Sequence, residues 1–268
     1  MSAVVAIVRH PAESLALRCE LTFLERMPID FMALRRQHAT YRDALASAGA
    51  RVVALEAIEE AADSVFVEDA AVVLDELAIL TRPGTESRRG EPDAITPALP
   101  TDRERARIVA PGWLEGGDVL RVGRRLYIGF GRRTNRDGVA QFAGLVRRYG
   151  YDVVPVEVTG CLHLKTACTA LDEDTLLVNP AWLDIAPFAG FRLIATADDE
   201  PFAANALPIG DALIANAAFP RTLERVRAHA QIAGRRVVAA DISEFGKAEA
   251  GLTCMSLIFA AASPGIAA

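Results

Sequence analysis

The sequence predicts a mixed α/β protein built from repeated modules, each with a β-hairpin, a helix and a further strand. Two patterns support this fold class. Three times, a stretch with helical periodicity ends at a glycine, and after two intervening residues a Val-Val pair begins an apolar run. Between these stretches lie pairs of short apolar runs separated by turn residues, as in hairpins. The units are irregularly spaced, which argues against a solenoid and favours several α/β modules in one domain.

The first unit lies near the N-terminus. Residues 4–8 are all apolar and predict a buried strand. From residue 30 to 48 the larger side chains recur at steps of three and four, which predicts a helix with one buried face. Asp30 is suited to its N-cap and Gly49 to its C-terminal end. Residues 51–55 then predict a second strand.

The same succession appears twice more. Residues 134–149 have helical periodicity, end at Gly150 and lead into a strand over 152–156. Residues 222–233 end at Gly234 and lead into a strand over 235–239. The helical stretch before Gly234 includes His229 among charged residues, so this histidine is expected to be solvated.

Three hairpins are predicted between or beside these units. They pair residues 71–74 with 77–81, 118–122 with 125–129, and 168–171 with 175–178. Residues 82–100 form the longest stretch without a pattern, and long loops often carry function. Since no flexible linker divides the chain, we expect one domain over residues 1–268.

Composition and charge narrow the class of partner. The 268 residues include 29 Lys and Arg against 35 Asp and Glu, a formal net charge of −6. This balance argues against nucleic-acid or anionic membrane surfaces as partners. No apolar run is long enough to span a membrane, and residues 1–11 lack the pattern of a signal peptide. The four cysteines are too few for a disulfide scaffold, so we expect a cytoplasmic protein with free thiols.

Cys254 and His163 are the candidate nucleophile and base. A cysteine in an apolar segment such as Leu252–Leu257 is commonly buried and inert, but a nearby base would activate it. His163 alternates with two leucines on an extended segment, which points it away from them. The cluster of Cys161, His163 and Cys168 matches no common zinc spacing, so no metal site is predicted.

Two acidic segments could serve such a pair. Residues 63–69 predict an apolar strand that ends at Glu68 and Asp69, and paired carboxylates suit the planar guanidinium group. The alternative is a solvated strand end. Glu115 opens an EGGD sequence, which is either a simple turn or the source of a carboxylate that orients a histidine.

Taken together, these segments resemble the dimethylarginine dimethylaminohydrolase family of guanidine-modifying enzymes. The matching sequences run in order along nearly the whole chain. They are DSVFVED at 63–69, LTRPG at 80–84, SRRGE at 87–91, EGGD at 115–118, RTN at 133–135, LHLKT at 162–166, AAN at 203–205 and TCMSL at 253–257.

The resemblance implies a pentein fold, a five-bladed α/β propeller of ββαβ modules. It implies that Cys254 is the nucleophile, His163 the general acid and base, and Glu115 the carboxylate that orients the histidine. Glu68 and Asp69 would hold the substrate guanidinium.

The resemblance also assigns the amino-acid end of the substrate. Arg88 and Arg133 would hold its α-carboxylate. Asp63 would hold the α-ammonium together with the backbone carbonyls of Leu21 and Ala248.

The implied activity is hydrolysis of Nω-methylated arginine to citrulline and a methylamine through a covalent thiouronium. The implied partner is a small-molecule guanidine, with no cofactor and with a homodimer as the expected assembly. Three alternatives stay open at this point. They are deimination of arginine itself, hydrolysis of another substituted guanidine, and binding of arginine without catalysis.

Overall fold

The computed structural model describes residues 3–261 and contains five three-stranded sheets. In every sheet the middle strand is antiparallel to one neighbour and parallel to the other. The predicted hairpin and strand modules are therefore confirmed, and their number is that of the pentein fold. The first two and last seven residues of the expected 1–268 domain lie outside the described part.

The strands are short, from three to six residues each. In chain order they are β1 (Val4–Arg9), β2 (Ala50–Leu55), β3 (Ala71–Val73), β4 (Leu77–Leu80), β5 (Glu104–Arg107), β6 (Val119–Val122), β7 (Arg125–Phe130), β8 (Asp152–Glu157), β9 (Cys168–Ala170), β10 (Thr175–Val178), β11 (Arg192–Ala195), β12 (Ala206–Ile209), β13 (Ala212–Asn216), β14 (Arg236–Ala240) and β15 (Leu257–Ala260).

Three of the helices are long, and the others are single turns. The α-helices are α1 (Leu15–Arg18), α2 (Phe31–Ser47), α3 (Glu91–Ile95), α4 (Arg136–Val146), α5 (Leu164–Ala167), α6 (Pro220–Ile232) and α7 (Ser243–Gly246). The 3₁₀ helices are Ala62–Val65, Val67–Ala70, Glu86–Arg88, Thr96–Ala98, Gly116–Asp118, Arg147–Tyr149, Ala186–Phe188 and Thr253–Met255.

The three long helices lie where the sequence predicts them, although their ends differ from the predicted ones by up to three residues. Asp30 caps α2 by accepting a hydrogen bond from the N–H of Ala33, and Gly49 follows the helix at a φ of 95°. Glycine adopts this left-handed conformation without the clash that a Cβ would cause. The predicted periodicity is also confirmed, because Leu34, Tyr41 and Leu45 on one face of α2 are fully buried.

The first sheet joins the two ends of the chain. β15 pairs antiparallel with β1, Val4 lying opposite Ala260, and β1 pairs parallel with β2. The last strand of the chain therefore takes the place in the first module that β3, β6, β9 and β12 take in the others. This pairing closes the set of modules.

The first strand of every module lines one central cavity of about 260 Å³. Each of these strands is reached by a link, which we define as the segment between the last strand of one module and the first strand of the next. The links are residues 56–70, 108–118, 158–167, 196–205 and 241–256. Since each link ends where a first strand begins, all five converge on the middle of the molecule.

Three sequence expectations are wrong. Residues 63–69 are not a strand but two 3₁₀ turns, because both faces of this segment are buried and its carboxylates find partners inside the protein. Residues 82–100 are not irregular throughout, since they contain α3 and two 3₁₀ helices. His229 is buried, not solvated, and its Nε2 lies 2.9 Å from Asp172 Oδ2.

Among residues 3–261, no helix is both long enough and apolar enough to cross a membrane.

Candidate active site

Convergence of the links brings three distant residues to one place. Glu115 belongs to the second link, His163 to the third and Cys254 to the fifth. Glu115 immediately precedes a 3₁₀ turn, His163 precedes α5 with an extended backbone, and Cys254 lies within a 3₁₀ turn. All three are buried.

His163 and Glu115 form a direct pair. His163 Nε2 lies 2.7 Å from Glu115 Oε2 in a hydrogen bond, and the other oxygen of Glu115 accepts the N–H of Gly84 at 2.9 Å. Glu115 has no exposed surface. The carboxylate therefore fixes the orientation of the imidazole, as in the carboxylate–histidine pairs of nucleophilic enzymes.

The surroundings of His163 favour the charged ring. Burial alone would lower its pKa, but the carboxylates of Asp69, Asp118 and Glu115 outweigh burial and raise the pKa to about 9. Burial opposes the charge of Glu115, yet its hydrogen bond to His163 holds the pKa of this carboxyl below its usual value. At neutral pH the pair is an imidazolium and a carboxylate.

Cys254 is held as a thiol. Burial raises its pKa far above the usual value, and the nearby carboxylates of Glu68 and Asp69 add to the effect. The N–H of Gly251 donates to Cys254 Sγ at 3.3 Å. A thiol in this setting needs an added positive charge before it becomes a nucleophile.

Glu68 and Asp69 face different neighbours. Glu68 accepts hydrogen bonds from Lys165 Nζ at 2.5 Å and from the hydroxyl of Thr253 at 2.8 Å, and it lines the central cavity. Asp69 accepts the N–H of Gly117 at 3.0 Å and an N–H of Arg88 at 2.8 Å. A carboxylate has about four acceptor positions, so both keep capacity for a further cation.

Arg88 points into the protein. Its guanidinium bonds Asp69 and, through two nitrogens, Glu91, and it lies 3.8 Å from Glu115. Arg133 also reaches Glu115, at 3.4 Å, and donates to the hydroxyl of Thr22 at 3.2 Å. Both arginines are buried, so positive charge lines one side of the site.

A narrow cavity of about 10 Å³ lies between these groups. Most of the predicted site residues line it, whereas Glu115 lies behind His163, Glu68 faces the central cavity and Leu21 packs against the core beside it. The predicted residues that line it are Asp63, Asp69, Arg88, Arg133, His163, Ala248 and Cys254.

Some residues of the site have no sequence signal that would give their role. Asn205 binds Thr253 through its Oδ1 and Nδ2, and its Nδ2 also donates to the carbonyl of Lys165 at 2.8 Å. It thereby joins three links. Asp118 accepts the N–H of Leu164 and the hydroxyl of Thr134. Their segments are conspicuous in the sequence, but only the folded chain shows what they contact.

One group of side chains could approach a common cation. Ligand atoms of Asp69, Glu115 and His163 lie within 4.8 Å of one another. Arg88 already places its guanidinium 2.8 Å from Asp69 and 3.8 Å from Glu115.

Cys161, which the sequence places beside His163, donates a hydrogen bond from its thiol to the carbonyl of His163 at 3.2 Å.

Comparison with known proteins identifies relatives along almost the entire chain. A model of the arginine deiminase family matches residues 98–217. The N(G),N(G)-dimethylarginine dimethylaminohydrolase of Pseudomonas aeruginosa is 36% identical over 257 residues, which is 94% of this chain and 98% of the relative. The enzyme of that name from Streptomyces coelicolor is 36% identical over 259 residues, or 94% and 95% of the two chains.

Solved structures agree. The Pseudomonas aeruginosa enzyme, as a cysteine-to-serine mutant complexed with citrulline, superposes with a TM-score of 0.90 at 34% identity, covering 97% of this chain and 100% of that one. A dimethylarginine dimethylaminohydrolase adduct with S-methyl-L-thiocitrulline superposes with a TM-score of 0.88 at 34% identity and the same coverage. With a pentein architecture and this degree of identity over both whole chains, the protein belongs to the dimethylarginine dimethylaminohydrolase family.

Proposed function

We propose that this protein hydrolyses Nω-methylated arginine to citrulline and methylamine or dimethylamine, as the names of its relatives indicate for them. The observation that carries the proposal is the 2.7 Å pair of His163 and Glu115 beside a cavity that Cys254 also lines. We propose that the single domain seen here contains the whole site.

The charges of the site support the proposed chemistry. A guanidinium that enters between Asp69 and the sulfur of Cys254 brings the positive charge that the buried thiol lacks, so the thiol gives its proton to water and the resulting thiolate attacks the guanidinium carbon. His163 is already protonated and donates to the departing amine nitrogen as the C–N bond breaks. The neutral imidazole then takes a proton from water, which attacks the thiouronium carbon and releases the thiolate.

The remaining predicted residues complete the proposed binding site. Arg88 and Arg133 provide positive charge for the α-carboxylate. Asp63 lines the cavity for the α-ammonium, near the carbonyl of Ala248. Leu21 contributes a carbonyl in this proposal. Glu68 acts on the guanidinium end of the substrate indirectly in this proposal. It accepts a hydrogen bond from Thr253, the residue before Cys254.

The test is a citrulline assay with asymmetric dimethylarginine, monomethylarginine and arginine. Citrulline should form from both methylated substrates. Cys254→Ser should lower the rate by a factor on the order of 10³ or more, since the nucleophile is lost. Cys168→Ser is the matched control, because Cys168 is also buried but lies in β9 and does not line the cavity. Activity that survives Cys254→Ser would contradict the proposed mechanism.

Arginine itself is the second candidate substrate, because the arginine deiminase model matches residues 98–217. If arginine is converted faster than the methylated forms, the protein is a deiminase that keeps the same nucleophile. Absence of product from all three substrates would favour another guanidine or a binding role.

We also propose a cytoplasmic location and a homodimer. Fractionation of cells would check the location, and light scattering of the purified protein would measure the assembly.

A further inference from the structure

The cavity beside Cys254 is too small for the substrate proposed for it. Its volume of about 10 Å³ holds about one water molecule, and Cys254 itself is buried. An amino acid can reach the sulfur only after part of the wall moves. The structure must therefore contain a segment that opens and a contact that keeps it closed.

The covering segment, residues 20–28, is the candidate. It lies between α1 and α2 and contains neither helix nor strand. Phe23 and Met27 expose 37% and 57% of their surface, although both are large apolar side chains. Glu20, at the start of the segment, lines the cavity. With little buried surface and no backbone ladder of its own, this segment is the part beside the cavity that moves at least cost.

Three contacts join the covering segment to residues that line the cavity, and Ser87 and Lys247 bind its two ends, Glu20 and Pro28, outside the cavity. The N–H of Glu20 donates to Asp63 at 3.1 Å, and the hydroxyl of Thr22 accepts from Arg133 at 3.2 Å. Asp63 and Arg133 are groups proposed to bind the charged end of the substrate, so a bound substrate competes with both contacts. Glu249 makes the third contact, and the proposed mechanism asks nothing else of it.

The third contact is also the most extensive. Glu249 Oε1 accepts the backbone N–H groups of Thr22 at 2.9 Å, Phe23 at 2.5 Å and Leu24 at 2.6 Å. Hydrogen bonds to an ionised carboxylate are about twice as strong as those between neutral groups. One side chain therefore fixes three consecutive residues of the covering segment.

Glu249 occupies a position built for this contact. Its φ is 59°, a left-handed conformation that is costly for a residue with a Cβ. Its side chain is buried, and its second oxygen has no hydrogen-bond partner among the described residues. A glycine would adopt this backbone more readily, so the carboxylate, and not the turn, accounts for glutamate at this position.

We propose that Glu249 is the latch of the substrate entrance: its carboxylate holds residues 22–24 beside the cavity, and its release admits the substrate. Glu249 is a positioning residue, since it acts through the covering segment. The identity of the entering molecule, a methylated arginine, rests on the proposed function. The contact of Glu249 with the covering segment can be tested without turnover.

The first test measures access to the thiol. Iodoacetamide labelling of Cys254, followed by mass spectrometry, should be faster by about tenfold or more in Glu249→Ala and Glu249→Gly than in the wild type. Glu249→Gln keeps an acceptor without the charge and should fall between them. Cys254→Ser identifies labelling of the three other cysteines, and hydrogen exchange at residues 22–24 should increase in step with labelling.

Two comparisons keep this test decisive. Glu59→Ala removes a carboxylate that accepts the N–H groups of Glu13 and Ser14 outside the cavity, and it should leave labelling unchanged. Glu249→Gly relieves the backbone strain. If Glu249 serves only the turn before Cys254, the glycine variant will behave like the wild type, and the latch is wrong.

Kinetics provide the second readout. Loss of the latch weakens closure over the substrate, so KM should rise about tenfold while kcat changes less than about threefold. A fall in kcat with unchanged KM and unchanged labelling would overturn the proposal. If the proposed substrates are not converted at all, labelling and exchange still decide whether the latch exists.

Discussion

The charge of His163 depends on three carboxylates within a buried site, which makes it a source of pH-dependent stability. Its pKa is about 9 in the folded protein and about 6.5 in an unfolded chain. A raised folded-state pKa stabilises the protein fully below pH 6.5, and this contribution disappears as pH rises through 9.

We therefore expect His163→Gln to lower the free energy of unfolding less at high pH than at low pH. The stability advantage of the wild type over the variant should fall by about 3 kcal/mol between pH 6 and pH 9.5. Urea unfolding of both proteins at the two pH values measures this difference. Titrating groups that do not interact with His163 behave alike in both proteins and cancel, and an advantage that stays constant would show that His163 is not charged in the fold.

Gly117 sets the position of the same ring. A Cβ at this residue would lie 2.7 Å from His163 Nδ1 and 2.9 Å from Asp69 Oδ1, so the ring would have to move. Gly117→Ala should lower kcat by about a hundredfold, because a small displacement of a catalytic group is costly.

Gly144 offers the matched control for that substitution. It lies exposed within α4, and a Cβ there would meet nothing within 4 Å. Gly144→Ala should keep full activity and raise the free energy of unfolding by up to about 1 kcal/mol. Equal kcat values in the two alanine variants would contradict the proposed role of ring position.

At the scale of elements, the caps of two helices differ in what they hold. Asn135 Oδ1 accepts the N–H groups of both Gly138 in α4 and Trp113 in the second link, and Asn135 Nδ2 donates to the carbonyl of Pro111. Asp30 caps α2 alone. Asn135 therefore joins a helix to the link that presents Glu115.

We expect Asn135→Ala to lower the free energy of unfolding by about 2 kcal/mol, since a cap and two further hydrogen bonds are lost. Asp30→Ala should lower the free energy of unfolding by a clearly smaller amount. Thermal unfolding of the two variants compares them directly, and a larger loss in Asp30→Ala would show that the contacts of Asn135 to the link carry no stability.

The sequence predicts elements better than it predicts links. The long helices and hairpins follow from periodicity, because a buried face repeats along each of them. Residues 63–69 read as a strand since Val65, Phe66 and Val67 favour one. In the fold, Val65 and Phe66 pack in one core cluster and Val67 in another, so the chain turns between them.

The candidate site is likewise predictable from the sequence only in part. The resemblance singles out Cys254, His163 and Glu115 through short motifs, and in the fold Cys254 and His163 line one cavity while Glu115 is hydrogen-bonded to His163. Glu249 has no such signal: its partners lie 225 or more residues earlier in the chain, and only the folded protein shows its left-handed backbone.

At the scale of the whole molecule, the pairing of β1 with β15 closes the set of modules. A chain whose ends were moved to another module would keep the same neighbours for every module. We expect a circular permutant to fold when residue 261 is joined to residue 3 by a short Gly/Ser linker and new ends are placed between Gly123 and Arg124. This exposed turn joins the first and middle strands of the third module, so no strand is divided and the new ends separate two strands of one module as β15 and β1 are separated in the first.

Circular dichroism should show one cooperative unfolding transition for this permutant. New ends between Leu176 and Leu177 divide the middle strand β10 of the fourth module and should prevent folding. If both permutants fold equally well, an intact set of sheets is not what stabilises the molecule.

The convergence of the links has a consequence for how such proteins change over time. The five links contain every residue proposed to make or break bonds, whereas Leu21, Arg88 and Arg133 lie on crossovers between the second and third strands of a module. The residues proposed to break bonds and three of the five proposed to bind the amino-acid end are thus encoded in different stretches of the gene, while Asp63 and Ala248 stay on the links. Crossovers can be lengthened, shortened or exchanged among relatives to accept a different amino-acid end, while the machinery that cleaves the carbon–nitrogen bond is inherited intact.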